Sequence, residues 1–392
     1  MKATIRHPAP SAPPARDVSL DYLRATLTLM VVAHHCCLAY TTFAHADPGN
    51  YLASTAPIVD RSRWLFLDYA ENFNDVFFMS LMFFISGLFV WPSLKRHGPA
   101  AFLGHRIIRL GLPFAVLVPT LMPLAYYASW RAGGHPAGYL AFWRHHVTSD
   151  GWPPGPLWFV WLLLLFNLGA ASRFAVLPRT GPQSSKAMTI ARTRPWLVAA
   201  LLSIACAAVY LPMLVHFGFG AWTAFITQPF YFQICRIGLY AVWFLAGVWV
   251  GAGDLDQGLL SRHGALARHW PWWVAGGVVA YNLLVFLPRL GGFSTLDKGA
   301  LWVISCVASS FGFLALFRGL VRRPRPWMRS IARSSYGIYL VHYLFVLWLQ
   351  YLFLPLPLHA GVKFLATFAL AVLCSWAATQ VLLRIPGLKR VL

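Results

Sequence analysis

The sequence predicts an all-α, polytopic membrane protein with about ten transmembrane helices and both termini cytoplasmic. Three observations carry that reading. First, the 392 residues are 58% apolar and 16% aromatic but only 11% charged, with a mean hydropathy of +0.60. A soluble domain is roughly 45–50% apolar and about 25% charged. This chain cannot cover itself with charge, and disorder, collagen and coiled coil fail on the same figures. Second, apolar segments of about 20 residues recur, the length that crosses a hydrocarbon core of roughly 30 Å. Third, the Lys and Arg residues collect in alternate connections.

The ten segments fall near 18–42, 73–92, 110–130, 156–176, 196–217, 231–252, 271–289, 299–319, 335–355 and 361–383. They are solidly apolar and lack the two-residue alternation of barrel strands, so they are expected to be helices. Pro113, Pro119 and Pro123 predict kinks in the third. One membrane domain covers 18–383, between cytoplasmic tails at 1–17 and 384–392, with no internal repeat and no separate soluble domain. Sizeable connections occur only near 43–72, 131–155 and 177–195. The start has a basic region, an apolar run and Ala44-His45-Ala46, as a signal peptide would. His34, His35, Cys36 and Cys37 interrupt that run and further spans follow, so it is read as the first span.

Of the 32 Lys and Arg residues, 24 lie on one side, in clusters at 2–24, 95–109, 173–194, 262–268, 318–333 and 384–390. The positive-inside rule makes that side cytoplasmic and reads the chain as a multi-pass membrane protein. Seven of the 11 acids fall on or near the other side. The net charge of +21 is thus a topology signal, and no nucleic-acid partner is expected. The six cysteines all lie in apolar segments and read as small buried hydrophobes, not as a disulfide framework.

Ionisable residues inside spans are costly and mark candidate sites. Arg24 and His35 are eleven residues apart in the first span. At 100° per residue they lie about 20° from a common line, roughly 16 Å apart along the axis. Their shared face suits a lined passage; it also suits a snorkelling Arg and a His hydrogen-bonded within the bundle. His34 points to the other side of Arg24, about 100° from His35, towards lipid or a neighbouring helix. The four consecutive residues His34 to Cys37 point in four directions and do not converge on one metal ion. Asp68, Glu71 and Asp75 share a face at the outer entry to the second span, where Glu71 could orient a buried His or simply favour a helix start. Arg106 and Arg109, one turn apart, suit bidentate contact with phosphates, or anchor the inner side. Tyr336, Tyr339 and His342 form a polar aromatic ridge opening the ninth span.

Together these pieces resemble acyltransferase family 3. The resemblance rests on Asp21-Tyr22-Leu23-Arg24 with ten residues before His35, matching that family's Arg-x10-His motif in its first span. It rests further on Phe84-Ile85-Ser86-Gly87, Arg106-x2-Arg109, Leu157-Trp158-Phe159 and Ser335-x3-Tyr339-Leu340-x-His342. Order and spacing agree from residue 17 to the end, nearest to the periplasmic-glucan succinyltransferase branch, partly through Leu383-Arg384-Ile385-Pro386. Tyr343 departs from the proline many relatives carry after the histidine.

The resemblance implies O-acylation of a carbohydrate or other hydroxyl acceptor, with acyl-CoA as a cytoplasmic donor substrate and no permanently bound cofactor. Arg106 and Arg109 would hold the donor. His35, Arg24, Glu71, Ser86, Tyr339 and His342 would form the catalytic set, with His35 as general base, its reference pKa of about 6.5 suiting work near neutrality. The rival reading is a transporter or flippase with Arg24 and His35 on a translocation path; such proteins often show two related halves, and none is visible here.

Overall fold

The computed structural model describes residues 17–47, 54–135, 138–176 and 185–391. Lys2, Arg6, Arg16 and Arg179, counted in the charge split, lie outside the described residues, as does the tail before Asp17. Those described form an all-α bundle of fourteen helices with one two-stranded hairpin.

Helix α1 (Val18–Leu38) starts where the Asp17 side chain accepts from Ser19 N and Leu20 N, capping otherwise unpaired donors. It is followed by α2 (Leu65–Leu88), α3 (Val90–Arg106), α4 (Leu112–Ala132), α5 (Tyr139–Thr148), α6 (Trp158–Val176), α7 (Ser185–Thr193) and α8 (Pro195–Phe217). Strands β1 (Trp222–Ala224) and β2 (Tyr231–Gln233) pair antiparallel, with Thr223 opposite Phe232. Then come α9 (Ile237–Ala252), α10 (Ala265–Arg268), α11 (Trp270–Phe286), α12 (Thr295–Leu320), α13 (Pro326–Phe353) and α14 (Ala360–Leu382). Pro195 and Pro326 open their helices, where the missing N–H costs nothing.

Eight helical stretches among the described residues are long and apolar enough to cross a membrane. The first and second expected spans correspond to α1 and α2, which are long enough but fall outside those eight. The reason is compositional: they carry Asp21, Arg24, His34 and His35, and Asp68, Glu71 and Asp75. Both sit in the middle of the bundle, α1 against α2 and α13, and α2 against α9. Large apolar side chains stand exposed on α8, α11 and α14, as on helices that face lipid.

Several expected edges move. The second helix begins at Leu65, so Asp68 and Glu71, ahead of the expected edge at 73, lie within its first two turns. The sixth span begins at Ile234; residues 231–233 are strand, because they pair with β1. In the third span Pro113 opens α4, and the helix runs on through Pro119 and Pro123. Pro123 has no N–H for the Pro119 carbonyl, and Trp143 Nε1 of α5 donates to it instead, at 3.2 Å. The irregular turn falls earlier, as a π-turn at Ile107–Gly111 containing Arg109. Helix α3 itself breaks at Gly98 (φ 76°, ψ 165°).

Close backbone approach positions α2 against α9. A Cβ on Gly247 or Gly251 would come within 2.0 Å of the Phe84 or Leu88 carbonyl oxygen, respectively. Membrane helices associate through such small-residue contacts, since lipid is as apolar as leucine. All six cysteines are free and five are buried, as expected.

Candidate active site

Four parts of the fold bring polar groups together inside the bundle. Helix α1 contributes His34 and His35, and α2 contributes Asp75. Helix α13 adds Tyr339 and Tyr343, and the hairpin with the start of α9 adds Tyr231, Gln233, Arg236 and Tyr240. All line one cavity of about 210 Å³ with Trp158 and Trp222. Ser54, Thr55, Pro57 and residues 153–156 close it, so it lies towards the end of the bundle where α1 finishes. The hairpin is held in place by Trp161 Nε1, which donates to Tyr231 O at 2.9 Å.

Hydrogen bonds assign the imidazole protons. His342, fully buried, points Nδ1 at Tyr339 O, 2.7 Å away. A carbonyl only accepts, so Nδ1 carries the proton and Nε2 of the neutral ring is an acceptor. His35 Nδ1 faces Val31 O at 2.8 Å and His342 Nε2 at 3.3 Å, both acceptors. The His35 proton therefore sits on Nδ1, and its Nε2 keeps the lone pair of a base. Gln350 Nε2 donates to His35 O at 2.9 Å and Cys36 O at 3.2 Å, tying α13 to this turn. The Tyr343 ring stands edge-on to His35, centroids 5.2 Å apart.

His34 does not turn to lipid. It lines the same cavity, packs on Phe78 with centroids 5.1 Å apart, and places Nδ1 3.4 Å from Glu71 Oε1. The buried Glu71 thus meets His34 rather than His35. Cys37 Sγ donates to His34 O, and Cys36 packs into a cluster with Ile338 and Val346. His34 and His35 thus share the cavity, with ring centroids 5.1 Å apart, while Cys36 and Cys37 turn elsewhere.

Of the other predicted residues, Tyr339 reaches the cavity. Tyr339 donates its hydroxyl proton to Pro156 O and lines the cavity. Arg24, Ser86, Arg106 and Arg109 are not among the cavity's lining residues. Arg24 contacts Asp21 at 3.3 Å, and Ser86 Oγ donates to Met82 O in its own helix at 2.8 Å. Arg109 is exposed; its carbonyl accepts from the Tyr336 hydroxyl, and its guanidinium lies 5.7 Å from that ring. Arg106 lies over Phe102 at 4.9 Å.

One pair escaped the sequence reading. Arg236 forks onto Asp75 at 2.8 and 2.5 Å, with its own side chain only 4% exposed. Its Nε is buried without a hydrogen-bond partner among the described residues. The signal was there: Arg236 is one of the few basic residues on the acidic side of the charge split, at the edge of a span. Lys363 is another, buried on Asp60 at 2.6 Å.

The acyltransferase-3 model, described as an acyltransferase domain, matches residues 17–380. The chain belongs to the acyltransferase-3 family. Curated relatives include glucans biosynthesis protein C of Salmonella schwarzengrund, 28% identical over 206 residues, covering 51% of this chain and 50% of that protein. The proteins of that name from Salmonella gallinarum and Salmonella typhi are 27% identical over 204 and 206 residues, with the same coverage. The chain spans about half the length of these relatives, while the acyltransferase-3 match runs from the cap of α1 into α14. No solved structure matches.

Proposed function

We propose that this acyltransferase-3 protein is an integral O-acyltransferase of a bacterial plasma membrane. It moves an acyl group of the acetyl or succinyl class from acyl-CoA to a hydroxyl of a carbohydrate. The observation that carries the reading is His35, whose Nδ1–H is committed to Val31 O and His342 Nε2 at the wall of a cavity rich in polar and aromatic groups. The name of the Salmonella relatives, glucans biosynthesis protein C, supports a carbohydrate-type acceptor.

The acceptor hydroxyl attacks the thioester carbonyl while His35 Nε2 takes its proton. The developing oxyanion is stabilised by the guanidinium of Arg236, a preorganised positive group at the cavity wall held by Asp75. The C–S bond then breaks, and the leaving coenzyme A sulfur takes the proton back from His35. His342 holds the His35 ring, Glu71 stands beside His34, and Tyr339 with Pro156 shapes the wall. Arg106 and Arg109, near the opposite end of the bundle, hold the donor's phosphates. Arg24, on the α1 face below His35, and Ser86 belong to the donor's path. The charge split supports a cytoplasmic location for that end.

Purified protein incubated with radiolabelled acetyl- or succinyl-CoA and glucose oligomers tests this. Label is expected in an ester of the sugar, with coenzyme A released in equal amount; thioester left intact with every acceptor contradicts it.

A further inference from the structure

A second cavity, of about 700 Å³, lies beside the first, and among the described residues Asp75 is the one lining both. Arg236 grips Asp75 from the first cavity, and its guanidinium packs on Phe219 at 4.5 Å and Trp302 at 5.1 Å, which line the second. The ion pair is therefore a partition between the two spaces. Around the second, Trp64, Phe66, Phe219 and Phe286 expose 39, 56, 47 and 48% of their surface, and Arg289 lies over the Phe286 ring at 5.0 Å. Asp68 and Asn72 line it with Asp75.

Aromatic rings alone would suit an interfacial belt or a lipid chain. The polar residues decide otherwise: Asp68 accepts from Thr42, Asn72 donates to Asp68 O and Asp75 accepts from Arg236, so hydrogen-bonding and charged groups face this space, where hydrocarbon is costly, and their oxygens keep lone pairs for a ligand's hydroxyls. A sugar ring satisfies both, laying its C–H face on an aromatic ring and its hydroxyls on carboxylate and amide oxygens. Resting on the carbohydrate-acceptor reading, we propose that the second cavity binds the sugar units next to the one being acylated. The acceptor is then an oligosaccharide bridging the Asp75–Arg236 partition, rather than a single sugar.

The test is chain-length dependence. Wild-type protein, Phe286→Ala and Arg289→Gln are assayed with labelled acyl-CoA and either glucose or a six-unit glucose oligomer. Wild type is expected to favour the oligomer in kcat/KM, and the oligomer-to-glucose ratio is expected to fall about tenfold in each variant, the worth of a lost contact of about 1.4 kcal/mol. Equal kcat/KM for both lengths in wild type, or an unchanged ratio in both variants, overturns the subsite. An equal loss for both acceptors also overturns it, since bracing of the fold gives that result. No transfer to glucose or oligomer overturns the carbohydrate reading itself and the subsite with it.

Discussion

His342 Nε2 lies 3.3 Å from His35 Nδ1, joining α13 to α1 across 307 positions of the chain. The contact fixes which His35 nitrogen is free and steadies the charged ring that forms when it takes a proton. A hydrogen bond to a charged group contributes about 1.5–3 kcal/mol. His342→Ala is therefore expected to lower kcat about tenfold to a hundredfold while leaving the KM for acyl-CoA near its wild-type value. His342→Asn, whose amide oxygen can accept from Nδ1, should restore part of kcat. Equal changes in kcat and KM, with no rescue, would reduce His342 to a packing residue.

Much of this was legible in the sequence because it is local. The helices follow from apolar length, whereas the shared face that the helix period gives Arg24 and His35 is not the cavity wall, which His34 and His35 line without Arg24. Which neighbour each face meets is not local. The sequence placed a carboxylate near a histidine but could not tell that α2 brings Glu71 to His34. Nor could it pair Asp75 with Arg236, 161 positions away. The hairpin was missed because its two three-residue strands carry no periodicity, although they supply Tyr231 and Gln233 to the cavity.

Arg106 and Arg109 are expected to act on the donor alone. Replacing both with Ala should weaken acyl-CoA binding by about tenfold or more, and Lys should rescue only partly because an ammonium lacks the planar fork. Calorimetry on the purified protein reads this directly. Unchanged donor affinity would leave them as topology anchors.

Asp17 should make stability depend on acid. Burial pushes its carboxyl up, but the Ser19 hydroxyl and the buried Arg318 guanidinium outweigh it and hold it at about 2, below the ordinary 3.8. Its contribution is present above pH 3.8 and is lost as pH falls towards 2. Asp17→Asn can keep the helix cap but removes the nearer of the two carboxylates paired with Arg318, leaving Asp256 at 3.3 Å, at a cost of about 2 kcal/mol near neutral pH. Thermal unfolding in detergent should show that gap closing between pH 4 and 2; a gap independent of pH contradicts the pairing.

Gly247→Leu should prevent α2 and α9 from docking, since even a Cβ would strike the Phe84 carbonyl. Little monodisperse protein is expected on size-exclusion chromatography, whereas Leu245→Ala, on an exposed position of the same helix, should behave as wild type. Normal yield of the Gly247 variant would show that the two helices part easily.

The central claim is that His35, and not its neighbour His34, is the base. The most direct measurement is the rate of acyl transfer per folded protein for His35→Ala and His34→Ala, with folding checked by chromatography. A general base contributes about 10²- to 10⁴-fold. His35→Ala should lose that factor, while His34→Ala, which loses its contacts with Glu71 and Phe78, should keep most of the wild-type rate. A well-folded His35→Ala protein that still transfers at the wild-type rate, or a well-folded but inactive His34→Ala protein, would contradict the assignment.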